Sequence, residues 1–208
     1  MLTTRYKPAI NRLLEPLARA ITRCGISPSA ITLAGPILGL FVCLAFLRTR
    51  AVVPFCLAIT AVVCLDALDG PVARVSGRVT KFGAYLDAVC DRYIEVMVLI
   101  TVSVVTGYWL WSMIGLTGSM LVSYTKARAA MEVPISNQEW PDLMERGERC
   151  VIYILGFAAG ELIAWKPFGH DLFWWTLVVL SLLIHLTVVQ RIVRAKRFIR
   201  ERTSESIV

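Results

Sequence analysis

Four aspartates at helical spacing interrupt a part of the chain that is otherwise apolar: Asp66, Asp69, Asp87 and Asp91. A carboxylate at membrane depth costs roughly 2.5–3.5 kcal/mol on insertion scales, so four of them do not serve packing. Spacings of three and four residues place the members of each pair on one face of a helix. Two such faces could bring four carboxylates together around hard divalent cations such as Mg²⁺. We therefore expect a metal site for phosphate chemistry.

The composition of the 208 residues is that of an integral membrane protein, with 57% hydrophobic residues. The net charge of +7 comes from basic residues that flank apolar segments and form no basic face of a soluble fold. This distribution argues against a nucleic acid partner and favours membrane lipids and phosphorylated substrates. The six cysteines lie singly, without the spacing of a zinc site or a disulfide framework.

The pattern of apolar segments predicts an all-α integral membrane fold that forms one domain over residues 1–208. Basic and apolar positions recur at helical spacing in residues 1–24, which predicts an amphipathic juxtamembrane helix on the membrane surface. Six transmembrane helices should follow, near 28–48, 51–75, 83–105, 108–131, 148–165 and 171–193. Ser27 should cap the first of them and Pro28 should occupy its first turn. The basic tail from Arg194 onward should fray.

The positions of the basic residues predict the orientation in the membrane. With six spans, both termini lie on the same side as the loops 76–82 and 132–147. Of the 22 basic residues, those that fall on the other side are Arg48, Arg50 and Lys166. The excess of Lys and Arg marks the first side as cytoplasmic. We expect a multi-pass protein of the cell membrane, with both termini and the acidic site on the cytoplasmic side.

The aspartates belong to a longer pattern, Asp66-x-x-Asp69-Gly70-x-x-Ala73-Arg74, eight further residues, and then Gly83-x-x-x-Asp87-x-x-x-Asp91. This pattern resembles the signature of the CDP-alcohol phosphotransferases, membrane enzymes that displace CMP from a CDP-linked alcohol with a second alcohol. The resemblance implies Mg²⁺, with Mn²⁺ as the alternative, as two ions held by Asp66, Asp69 and Asp87. It implies Asp91 as a further metal ligand and as the general base. It also implies a CDP pocket formed by Gly70, Ala73, Arg74, Gly83 and, in a Pro-x-x-x-Thr segment, Thr32.

Three basic segments of the second half, at 123–128, 145–149 and 189–191, extend the resemblance. They resemble the segments that surround the acceptor's phosphate in the phosphatidylinositol-phosphate synthases and archaetidylinositol-phosphate synthases. Guanidinium groups suit this task because they bind phosphate oxygens bidentately. The resemblance implies an acceptor phosphate pocket of Ser123, Lys126, Arg146, Arg149 and Arg191. Arg128 and Arg194 are equally well explained as basic flanks of their helices.

The resemblance implies a transferase that moves a phosphatidyl or archaetidyl group from a CDP-lipid to inositol 1-phosphate and releases CMP, in phospholipid biosynthesis. It also implies a homodimer. Glycerol 3-phosphate as the acceptor and a soluble CDP-alcohol as the donor stay open alternatives. An alternative from another class is a divalent-ion transporter with the carboxylates as its transit site. Glu95, one turn after Asp91, either has a structural role, which we favour, or contacts a metal.

Overall fold

The computed structural model describes residues 14–133 and 143–205, and within these ranges it contains helices and no strand. The predicted all-α class is confirmed. The helices are α1 (14–23), α2 (Pro28–Thr49), α3 (Val52–Asp66), α4 (Asp69–Val75), α5 (Lys81–Thr106), α6 (Trp109–Glu132), α7 (Arg146–Leu162) and α8 (Leu172–Glu205). The first half of the predicted surface helix and the centre of the predicted 132–147 loop lie outside the described residues.

Among the described residues, three helical stretches are long and apolar enough to cross a membrane: Pro28–Thr49, Val52–Val75 and Leu172–Arg202. They correspond to α2, to α3 with α4, and to most of α8. This confirms the predicted association with a membrane.

The predicted second span is a helix with a break in it. The chain turns at residues 67–68, so Asp66 ends α3 and Asp69 begins α4. The two aspartates therefore do not share one uninterrupted helix face, and that expectation was wrong. Pro71 supplies the physical reason, because it has no N–H to donate to the carbonyl of Ala67 and a continuous helix needs that hydrogen bond.

Two helix ends also differ from the expectation. The helix α8 continues to Glu205 and does not fray from Arg194 onward. Its extension carries an i,i+4 pair in which Arg197 Nε donates to Glu201 Oε1 at 2.8 Å, and such pairs stabilise an exposed helix. The helix α7 ends at Leu162, and Pro167 a few residues later disfavours helical geometry in the residue before it.

The packing of the helices separates an aromatic end of the bundle from an acidic end. Phe46 and Phe55 stack with ring centroids 4.2 Å apart, and Phe157 lies 4.4 Å from Phe173. Asp66 lies at the other end of α3, where α2 and α5 pack together. A Cβ atom on Gly35 of α2 would come within 3.3 Å of Asp66 Oδ1. The glycine therefore lets α2 approach closely enough to bury this carboxylate.

Candidate active site

Three of the four predicted aspartates meet at the acidic end of the bundle. One carboxylate oxygen from each of Asp66, Asp69 and Asp87 lies within 4.8 Å of the other two. They come from three helices, α3, α4 and α5, and we call them the carboxylate cluster. Asp66 is 5% exposed, and its Oδ1 accepts no hydrogen bond from the described residues. A buried carboxylate oxygen without a donor needs another positive partner.

The carboxylate cluster fits a divalent cation. All of its donors are carboxylate oxygens, the hard ligands that Mg²⁺, Mn²⁺ and Ca²⁺ prefer in proteins. Like charges this close repel each other unless a cation lies nearby. The orphaned Asp66 Oδ1 offers one unused coordination position. Three of the four predicted metal ligands are thus placed together, and their chemistry suits the predicted ions.

A threonine on α2 holds one carboxylate of the cluster in place. Ser27 caps α2 by accepting a hydrogen bond from Ala30 N, and Pro28 begins the helix, as predicted. One turn later, the buried Thr32 hydroxyl donates to Asp69 Oδ2 at 2.7 Å. The sequence suggested Thr32 only for the nucleotide pocket, because the Pro-x-x-x-Thr spacing places it near the start of a helix but does not identify its partner.

A groove of about 570 Å³ opens beside the carboxylate cluster and borders Asp69 and Asp87. Each predicted nucleotide-pocket residue lines it: Thr32, Gly70, Ala73, Arg74 and Gly83. Gly83 lies in the first turn of α5, where its N–H donates to Thr80 Oγ1 at 2.9 Å. Ser29 and Arg78 also line the groove. Neither residue was predicted for the nucleotide pocket, because neither belongs to the motif.

Asp91 has a partner of its own on another helix. Its Oδ1 forms an ion pair with Arg146 Nη1, at the start of α7. The same guanidinium lies 3.3 and 3.4 Å from Asp66 Oδ2. Asp91 was predicted as a fourth metal ligand and base, and Arg146 as an acceptor phosphate ligand. In this structure the two are joined, with Arg146 compensating the charge of two aspartates.

Deeper in the bundle, a second arginine of α7 is almost fully enclosed. Arg149 is 2% exposed, its Nη1 donates to the Met144 carbonyl at 3.1 Å, and its Nη2 lies 3.5 Å from Glu95 Oε1. Glu95 Oε2 also lies 2.5 Å from Arg92 Nη1. Glu95 therefore pairs with basic residues of its own helix and of α7. We call Arg92, Arg146 and Arg149 the arginine cluster; Arg92 was not among the predicted site residues.

The other residues predicted for the acceptor lie where α6 packs on α8. Arg191 is buried and its Nη1 donates to the Val122 carbonyl. The adjacent Ser123 donates its hydroxyl to the Ser119 carbonyl at 3.4 Å, and Lys126 is half-buried one turn later. The described contacts thus divide the predicted basic pocket into two parts. Arg146 and Arg149 contact acidic residues, and Arg191 contacts the turn of α6 that carries Ser123.

Membrane-type helices, a carboxylate cluster and an adjoining groove together define an enzyme that handles phosphate groups at a membrane with divalent cations. Residues 25–186 match the sequence model of the CDP-alcohol phosphatidyltransferases, and the chain belongs to this family. The matched range contains the carboxylate cluster, the groove residues and the arginine cluster. The family membership that the aspartate motif indicated is confirmed.

Similar proteins of known function support a narrower grouping. An archaetidylinositol phosphate synthase of Pyrococcus horikoshii is 31% identical over 197 residues, which cover 93% of this chain and 96% of that one. A phosphatidylinositol phosphate synthase of Mycobacterium marinum is 31% identical over 193 residues, which cover 85% of this chain and 78% of that one.

Solved structures of one relative match the fold. The phosphatidylinositol phosphate synthase of Mycobacterium tuberculosis with CDP-DAG bound superposes with a TM-score of 0.75 at 26% identity, covering 88% of this chain and 94% of that one. Its complex with manganese and citrate superposes with the same TM-score and identity, covering 88% of both chains. The manganese complex and the carboxylate cluster agree on the use of a divalent metal.

Proposed function

We propose that this protein transfers a phosphatidyl or archaetidyl group from a CDP-lipid to inositol 1-phosphate and releases CMP. The observation that carries the proposal is the carboxylate cluster beside a groove lined by every residue of the predicted nucleotide pocket. The relatives named for inositol phosphate products support the choice of acceptor. In the reaction, the acceptor hydroxyl oxygen bonds to the lipid-bearing phosphorus, and the bond from that phosphorus to the bridging oxygen of CMP breaks.

The residues that would hold the metal are Asp66, Asp69 and Asp87, with two Mg²⁺ ions expected and Mn²⁺ as a substitute. Asp91 is the proposed fourth ligand. A divalent cation bound there would neutralise the charge of the diphosphate and stabilise the CMP leaving group. Thr32 keeps the Asp69 carboxylate oriented through its hydrogen bond.

The groove would hold the CDP moiety of the donor. Gly70, Ala73 and Gly83 have little or no side chain, so a nucleotide can approach the backbone there. Arg74, exposed at the edge of the groove, is placed to contact the diphosphate. Asp91 lies one turn beyond Asp87 on α5, and we propose that it acts as the general base that accepts the proton of the attacking hydroxyl.

The phosphate of the acceptor would bind to basic residues from α6, α7 and α8: Ser123, Lys126, Arg146, Arg149 and Arg191. Arg146 is the most accessible arginine of the arginine cluster at 28% side-chain exposure, against 2% for Arg149. In this structure Arg146 neutralises the negative charges of Asp66 and Asp91. It can therefore bind the acceptor's phosphate only when a divalent cation neutralises the two carboxylates instead. Metal binding and acceptor binding should therefore favour each other.

The proposal includes one domain with six spans, formed by α2, by α3 with α4, and by α5, α6, α7 and α8. The N-terminal helix, which includes α1, would lie on the membrane surface. The end of α3 and the starts of α5 and α7 carry the site residues, so these helix ends face one side. The excess of basic residues on that side supports a cytoplasmic site and cytoplasmic termini. A homodimer is part of the proposal.

An acceptor panel tests the proposal. Purified protein with Mg²⁺ and CDP-diacylglycerol would be given inositol 1-phosphate, glycerol 3-phosphate, inositol or serine, and CMP formation measured. We expect the highest kcat/KM with inositol 1-phosphate. A higher kcat/KM with glycerol 3-phosphate would identify glycerol 3-phosphate as the acceptor. Turnover of a soluble CDP-alcohol, offered in place of CDP-diacylglycerol, would identify that compound as the donor. Mn²⁺ flux into proteoliposomes without nucleotide, combined with no CMP release, would support the transporter and overturn the proposal.

A further inference from the structure

We infer that Glu95 is a positioning residue: it holds Arg149, and through it the start of α7, so that Arg146 reaches the aspartates of the site. The inference deepens the proposed function and rests on its assignment of Arg146 to the acceptor's phosphate. Glu95 lies outside the family motif and lines no part of the groove beside the carboxylate cluster. Any effect it has on the reaction must pass through its neighbours.

Glu95 joins two helices through its two carboxylate oxygens. Oε1 lies 3.5 Å from Arg149 Nη2 on α7, and Oε2 lies 2.5 Å from Arg92 Nη1 on α5. The Glu95 side chain is 10% exposed and that of Arg149 is 2% exposed. In such an environment a guanidinium without a carboxylate pays a large desolvation penalty. The position of Arg149 therefore depends on Glu95.

Arg149 in turn fixes the start of α7. Its Nη1 donates to the carbonyl of Met144, which comes two residues before the helix begins. The first turn is closed by a capping box in which Glu145 N donates to Glu148 Oε2 at 3.1 Å. A single guanidinium thus ties the backbone before α7 to a carboxylate on α5. This holds the first turn of α7 against α5.

Arg146 occupies that first turn, three residues before Arg149 and on the same side of the helix. From there it contacts Asp66 and Asp91. A small cavity of about 60 Å³ is lined by Glu95, Asp91 and Arg146 among others, so Glu95 adjoins the ion pair of Asp91 and Arg146. Loss of the Glu95 carboxylate should displace the start of α7 and, with it, Arg146. The donor groove, formed by α2, α4 and α5, should not change.

The experiment is Glu95→Gln, which keeps the shape of the side chain and removes its charge. We expect the KM for inositol 1-phosphate to rise about tenfold, by analogy with the cost of losing a residue that orients a metal ligand. The KM for CDP-diacylglycerol should stay unchanged. The matched control is Glu132→Gln, since Glu132 pairs with Arg128 at 2.5 Å where both side chains are about half exposed. A purely structural role would lower the melting temperature and affect both KM values together.

A double-mutant cycle separates positioning from direct action. If Glu95 acts through the two arginines of α7, adding Glu95→Gln to the double variant Arg146→Gln/Arg149→Gln should not raise the acceptor KM further, whereas independent effects would multiply. Multiplying effects, or an unchanged acceptor KM in Glu95→Gln, would overturn the inference. Should Glu95→Gln fail to fold, Glu95→Asp keeps the charge but has a side chain one methylene too short to contact both Arg92 and Arg149. The same selective rise in acceptor KM is expected for it, and no rise would refute positioning.

A metal titration keeps this inference separate from the proposed function. If the wild-type protein used no phosphorylated acceptor, the proposed function would fail, but Mn²⁺ binding followed by electron paramagnetic resonance would still test Glu95. Because Arg146 competes with a cation for Asp66, Glu95→Gln should bind Mn²⁺ more tightly than the wild type does. Equal affinity in the two proteins would contradict the inference on this second readout.

Discussion

The carboxylate cluster and the arginine cluster lie at the same end of the bundle but are built differently. The cluster of Asp66, Asp69 and Asp87 consists of short side chains at or near the ends of helices, and Asp69 and Asp87 border an open groove. The arginine cluster consists of long side chains that extend into the bundle and pair with acids there. Backbone geometry alone places a short carboxylate, whereas a guanidinium on a flexible stem ends where it finds a partner.

The largest effect should come from the carboxylate cluster. Asp87→Asn removes one charged ligand and should lower kcat by more than about a hundredfold, the upper end of what loss of a supporting residue around a metal costs. CMP release is the measurement. Asp171→Asn is a matched control because Asp171, at the start of α8, accepts hydrogen bonds from Tyr108 and Trp174 at distances of 2.6 and 2.8 Å. It should keep normal turnover.

Near-normal turnover in Asp87→Asn, with the protein still monodisperse in detergent, would remove Asp87 from the metal site. Loss of Mn²⁺ binding in this variant, followed by electron paramagnetic resonance, would show that the lost turnover comes from the metal. The two measurements together distinguish a missing ligand from a damaged fold.

The sequence predicted the carboxylate cluster correctly although one detail of the predicted secondary structure was wrong. The helix breaks between Asp66 and Asp69, contrary to expectation. The two carboxylates still face the same point, because a break of two residues keeps their chain separation short. The hydrogen bond from Thr32 to Asp69 could not be predicted from the sequence. It joins positions 37 residues apart and depends on how α2 packs on α4.

Two of the three members of the arginine cluster, Arg146 and Arg149, were predicted as site residues, but their arrangement was not. Arg146 and Arg149 were assigned to a phosphate, and the structure pairs them with Asp91 and Glu95. No spacing rule gives such pairs, because they depend on which acid α5 presents to the start of α7. The extended α8 escaped prediction for a similar reason. The basic and polar composition of its C-terminal part suggested a frayed end. The same composition is compatible with a solvent-exposed helix, which needs no apolar face when i,i+4 ion pairs stabilise it.

Arg146→Gln should have a smaller effect, which raises the affinity for Mn²⁺ and lowers the affinity for the acceptor. Removing this guanidinium frees Asp66 Oδ2, so Mn²⁺ should bind more tightly when no acceptor is present. Acceptor affinity should fall by about tenfold or more, as loss of a charge-assisted hydrogen bond worth roughly 1.5–3 kcal/mol predicts. Mn²⁺ titration by electron paramagnetic resonance and the KM for inositol 1-phosphate are the two measurements.

Arg128→Gln is the control for that comparison. Arg128 pairs with Glu132 where the two side chains are 50% and 48% exposed, and such a pair contributes little. Both readouts should match the wild type. If Arg146→Gln left Mn²⁺ affinity unchanged, the guanidinium would not compete with the cation, and the two clusters would act independently.

The smallest effect tests the link between α2 and the carboxylate cluster. Thr32→Val keeps the volume and removes the hydroxyl that donates to Asp69 Oδ2 at 2.7 Å. Asp69 should then be less well oriented, and Mn²⁺ affinity should fall by about tenfold, the lower end of the cost of losing a supporting hydrogen bond. Thr32→Ser retains the hydroxyl and should bind Mn²⁺ as the wild type does. Because Thr32 also lines the groove, the KM for the donor distinguishes two roles of its hydroxyl. A fall in Mn²⁺ affinity at constant donor KM would show that the hydroxyl orients Asp69. A raised donor KM with normal Mn²⁺ binding would show that it contacts the nucleotide.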